Sequence, residues 1–246
     1  MANNPIMYCL GPMGNPDPTD LINLETNQIP FKLSNPNLPN LSQAFRSWPT
    51  VTPGWRNWYR HKAASKGVQW DESDIGQCTD LSLSDMNKNE AMLISASYFW
   101  SDALNAFLFC HGPMTPTLMD VLMITGLNIS ASDRAYDLLS KASFWFETRN
   151  IGGWKGYVTM NTKQGSVDTR EHAAFLNMWL EIFVFYGKTI GQTINPLKMA
   201  EDLALGNTIP LDKHLLSSVY NLLHQVSIRL RSGQSVTGLG GHWWFI

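Results

Sequence analysis

Two adjacent pairs, Cys110–His111 and Glu171–His172, are where side chains able to do nucleophilic or metal chemistry meet in this chain. A cysteine nucleophile needs a base within hydrogen-bond reach. Neighbouring residues at a helix end point apart, so Cys110 and His111 cannot share a proton directly, and a free cysteine more often serves as a small buried hydrophobe. Glu171 lies three residues after Asp168, the spacing of a helix capping box, which assigns it to a helix start in preference to a site. No G-x-S-x-G elbow occurs. The six histidines (His61, His111, His172, His214, His224, His242) show neither H-x-x-x-H nor H-x-x-E-H spacing. The sequence therefore predicts no catalytic residues, no metal ligands, no cofactor and no small-molecule substrate.

Binding chemistry is better represented. The run Trp55–Lys66 places Trp55, Trp58 and Tyr59 at helical spacing beside Arg56, Arg60, His61, Lys62 and Lys66, the one basic and aromatic cluster of the chain. Arginine with stackable rings suits phosphates and bases, although an amphipathic helix with a solvated basic face gives the same pattern. Trp55, Arg56, Trp58, Arg60, Lys62 and Lys66 are accordingly candidates for nucleic-acid or partner binding. GLGG at Gly238–Gly241 is a weak phosphate loop. Its glycines more naturally let Trp243 and Trp244, the other two binding candidates, dock closely. The helix Thr117–Thr125 with its Gly126 turn has the length of a first helix-turn-helix element. The segment after it carries only Arg134 and Lys141 against Asp133 and Asp137, which does not favour DNA.

The elements that must position these residues read as mainly helical. Apolar residues from Met92 to Leu108 repeat at three and four, predicting a helix over Asn89–Phe109. Thr115 suits an N-cap, Pro116 a first helical position and Gly126 a stop for the next helix. A further helix is expected over Asp133–Thr148. The glycines and β-branched residues of 151–167 suggest a loop or a small β-hairpin. Asp168 and Glu171 open a helix over Thr169–Phe185 whose polar line is only Arg170, Asn177 and Glu181, placing it near the centre of a core. Asn195 and Pro196 start a helix that stops at Gly206. Asp212 caps a last one through Leu215, Val219, Leu222, Leu223, Val226 and Leu230. Trp100 and Trp179, on helices apolar around most of their circumference, are predicted core.

Residues 1–53, rich in Pro, Asn and Gly, read as an extended or partly disordered arm, and residues 54–246 as a single compact helical domain. Charged residues are 15% of the chain, against roughly 25% in ordinary domains, so neutral and apolar groups cover much of the surface. The formal charge of -2 excludes a global field for nucleic acid or an anionic membrane. Three separated cysteines, Cys9, Cys78 and Cys110, favour a reducing compartment over a disulfide framework. Neither a signal peptide nor a spanning helix is expected.

Three stretches together resemble the plant mobile domain family, also labelled aminotransferase-like: FWSDALNAFLFCHGPMTPTLMDVLMITGLNI at Phe99–Ile129, REHAAFLNMWLEIFVF at Arg170–Phe185, and PLDKHLLSSVYNLLHQV through GGHWWFI at Pro210–Ile246. The resemblance runs from about Glu90 to Ile246. It implies a transposon-derived helical domain, found in mobile elements and in host nuclear proteins linked to transposable-element silencing and genome integrity. It also implies a protein partner, a phosphatase-like protein or a second copy. Family members continue past the GG-x-W-W-F-I motif, so the domain is expected to be truncated there. No residue pattern identifies a Schiff-base lysine with a phosphate cup, and the family supplies no catalytic residue to carry over.

Overall fold

The computed structural model describes residues 48–109, 112–129, 136, 140–163, 165–185, 193–232, 234, 236 and 240–246. The chain is mainly helical, with one small antiparallel sheet. It divides into two compact units: Ser47–Asn87 with Thr117–Leu216, and Lys88–Pro116 with Ser217–Ile246. The arm expected over 1–53 lies almost wholly outside the described residues.

The first unit begins with α1 (Trp55–Glu72) and the short α2 (Gly76–Leu81). Helix α4 (Leu118–Thr125) is closed at both ends. Thr117 caps it in a full capping box with Asp120, and Gly126 ends it at φ 72°, a left-handed conformation that favours glycine. The cap expected at Thr115 is displaced by two residues because only Thr117 has an acid three positions on. Helix α5 (Gly153–Asn161) follows, then α6 (Thr169–Trp179), which runs on into a π-helical turn over Leu180–Val184, and α7 (Leu197–Ala204). Every residue from Glu171 to Ile182 is buried, so α6 occupies the core as expected. Asp168 caps it through the Glu171 amide at 2.7 Å.

The second unit holds α3 (Glu90–Phe99), strands β1 (Trp100–Ser101), β2 (Ala106–Phe109) and β3 (Gly112–Met114), a 3₁₀ turn at Trp243–Phe245, and the length of α8 (Leu211–Arg231) from Ser217 on. The strands pair in order, Trp100 opposite Phe107 and Leu108 opposite Pro113. Trp100 meets Phe107 and Tyr220 edge-on at 5.0 and 5.5 Å. Asp102 accepts from Ser227 and pairs with Arg231 at 2.9 Å. Leu215, Val219, Leu222, Leu223, Val226 and Leu230 are all buried, the stripe predicted for α8.

Three expectations are corrected. The helix expected over Asn89–Phe109 stops at Phe99, because Phe107, Leu108 and Phe109 are contiguous apolar residues that suit a strand, and Asn105 turns the chain at φ 52°. The hairpin expected near 151–167 is instead helix α5. Gly156 has the residue type of a turn, but a Cβ there would lie 1.4 Å from the Ile151 carbonyl oxygen, so its glycine serves close packing inside a helix. The helix expected over Asp133–Thr148 falls partly outside the described residues, and 141–148 is not helical. There the amides of Ser143 and Phe144 donate to the buried Glu201 carboxyl in place of a helical ladder.

The two glycines inside helices give opposite expectations. Gly156→Ala should destabilise the protein by about 3 kcal/mol, whereas Gly67→Ala, with nothing within 4 Å of the added Cβ, should stabilise it by roughly 0.5–1 kcal/mol. Urea denaturation midpoints check both.

Candidate functional site

Trp55, Trp58, Tyr59 and Lys62 recur at three and four along α1, and all four face inward. Phe175 of α6 receives the rings, with Trp55 stacked on it at 4.7 Å, Trp70 stacked at 5.3 Å and Trp58 edge-on at 5.3 Å. Trp55 Nε1 donates to Ser82 Oγ at 3.0 Å. Such aromatic contacts add about 0.5–1.5 kcal/mol each beyond area burial.

Lys62 continues this apolar stripe and is itself fully buried, its Nζ paired with Glu171 Oε1. The same carboxyl oxygen accepts the Lys163 amide at 3.1 Å. Burial lowers the Lys62 ammonium from its ordinary pKa, and the hydrogen bond to Glu171 opposes that shift. Beside the pair, Trp70 Nε1 donates to His172 Nε2 at 2.8 Å. Burial, followed by the charges of Lys66 and Lys62, pulls His172 down from 6.5 to about 3. The ionisable groups at this contact of α1 with α6 are thus a paired lysine and glutamate and a hydrogen-bonded imidazole. With Lys62, Glu171 and His172 each 1% exposed or less, a substrate cannot reach them.

The predicted binding cluster is therefore split by the fold. Trp55, Trp58 and Lys62 are core residues, a correction to their placement on a recognition surface. Their spacing puts them on one face of α1, which packs against Phe175 of α6 and Phe183 of the π-helical turn. Arg56 and Arg60 are exposed one helical turn apart, Arg56 lying 3.7 Å from Asp85, and Lys66 is half-buried. Trp243 is buried and Trp244 half-buried. Trp100 and Trp179 are buried as predicted. Glu171, read as a capping partner, turns inward to Lys62, leaving Asp168 to cap α6 alone. Cys110 and His111 lie outside the described residues. Cys78 is buried, its thiol pushed up to about 12 by burial, which leaves it unreactive.

A wide groove of about 430 Å³ runs between the start of α1 and the end of α5, lined by Asn57, Trp58, His61, Val158, Thr162 and Lys163 among others. Its cation, Lys163, is paired with Asp168. Among the described residues, no group of three or more His, Cys, Asp or Glu side chains is placed to hold a metal ion, and no helix is long and apolar enough to cross a membrane.

The plant mobile domain family model matches residues 74–241. The chain belongs to that family. The family is transposon-related. No curated protein and no solved structure matches the chain.

Two outcomes follow from the buried cluster of this plant mobile domain. Lys62→Met should cost about 3–5 kcal/mol by leaving Glu171 buried without its cation. The double variant with Glu171→Leu should recover much of that loss, so urea unfolding of both single variants and the double should show strong coupling. His172 makes stability depend on pH: the unfolded imidazole takes up a proton as pH falls through 6.5, whereas the folded one resists until about 3. Stability is therefore complete above 6.5 and is lost progressively as pH falls toward 3. His242, held near 4 by burial, acts in the same direction. His172→Gln should flatten the decline in unfolding midpoint between pH 7 and 4 without abolishing it.

Proposed function

We propose that this domain is a non-enzymatic nuclear interaction module of transposon origin, working through protein–protein assembly linked to transposable-element silencing or genome integrity. The observation that carries the assembly reading is the outer face of α4. Met119, Met123 and Ile124 are 55%, 74% and 42% exposed there. The helix has one ionisable side chain, Asp120, and its capping box uses it. A helix closed at both ends holds its backbone still while its methionines adapt to a partner, a combination suited to helix-face recognition. Family membership supports the transposon origin, and the nuclear and silencing roles rest on the family resemblance alone. The partner chemistry that fits is a second copy of the chain or a phosphatase-like protein offering an apolar groove.

Replacing Met119 and Met123 together by glutamate leaves Thr117, Asp120 and Gly126 in place. It should abolish self-association in light scattering, or capture of a phosphatase-like partner in a pull-down, with the circular dichroism spectrum unchanged. If the unmodified protein stays a partnerless monomer in both assays, the reading is overturned.

A further inference from the structure

Asp212, in the first turn of α8, is 1% exposed, and neither of its carboxyl oxygens receives a hydrogen bond. The sequence predicts it as a cap, yet it accepts no amide. The positive end of a helix favours an acid nearby, but that does not replace the hydrogen bonds a buried carboxyl loses on leaving water. A small cavity of about 10 Å³ adjoins it, on the order of the space one water or one small ion occupies.

Three segments of the same unit line this cavity: the α1–α2 turn at Ser73, Asp74 and Ile75, the chain after α4 at Leu127 and Asn128, and Thr208–Asp212 before and at the start of α8. Asp74 adopts φ 56°, unusual for a residue other than glycine. Asn128 Nδ2 donates to its Oδ2 at 2.9 Å. The lining thus includes two aspartates together with Ser73 and Thr208, around a space the size of one ion.

We propose that this cavity binds a single hard divalent cation, with Asp212 as its buried anionic ligand and Asp74 as the ligand at its mouth. Oxygen donors alone select calcium or magnesium over softer metals. Two acids around one cavity favour a cation over a lone water, which could satisfy only one oxygen of each. The exposed Asp74 and Thr208 give the ion a route in and leave room for coordinated water. None of the α4 methionines lines the cavity, so its test is independent of the assembly reading.

The protein is stripped with a chelator and titrated separately with calcium chloride and magnesium chloride, with sodium chloride of equal ionic strength as control. The expected result is a saturable rise in Tm with one of the two cations, about 5–10 °C at a hundredfold excess over Kd, with one-to-one stoichiometry by calorimetry. Asp212→Asn should remove the rise. Asp74→Asn, at an exposed position that leaves the fold intact, should weaken binding tenfold or more. No rise beyond the sodium control, as for a cavity holding only water, overturns the proposal. An undiminished rise in Asp74→Asn overturns it as well, because the ion then binds elsewhere.

Discussion

The pairing of Lys62 with Glu171 constrains everything built around it. Two charged groups removed from water are costly unless they pair, and here Glu171 Oε1 takes both the Lys62 ammonium and the Lys163 amide while Oε2 has no hydrogen-bond partner. Pairing with Glu171 places Lys62 on the inward face of α1, against the first turn of α6. Once α1 is so oriented, Trp55, Trp58, Tyr59 and Trp70 can only face Phe175. The pair itself adds little net stability, as buried pairs generally do, but it makes competing rotations of α1 costly.

The same constraint shapes what the protein has left to work with. Residue types that elsewhere perform chemistry are turned inward and engaged: Lys62 with Glu171, His172 with Trp70, Glu201 with two backbone amides, and Glu181 with Thr193. Burial raises the Glu181 carboxyl from its ordinary pKa while Thr193 opposes it, the balance expected of a structural acid inside a π-helical turn. The surface of α4, by contrast, presents methionine and isoleucine to solvent.

Much of the helical framework was legible because its signals are local. Asp168, the Gly126 stop, Pro196 and the apolar spacing of α8 each act within a turn or two of their own position. The segments that escaped depend on distant partners. Gly156 reads as a loop former until the Ile151 carbonyl is placed beside it, and the amides at Ser143 and Phe144 leave helical geometry only because Glu201 is there to accept them. Lys62 is the instructive case, since its spacing of seven from Trp55 and four from Trp58 already put it on the buried stripe. Lysine is so often solvated that its type outweighed its position, and the acid that makes burial possible lies 109 residues away. The spacing was the better guide.

The family match begins at Asp74, two residues beyond the end of α1. A segment cut to that boundary would retain Glu171 and Phe175 but lose the lysine and the four rings that cover them. A piece that keeps the Lys62–Glu171 pair and its covering rings must begin upstream of Trp55, ahead of the edge of the family match.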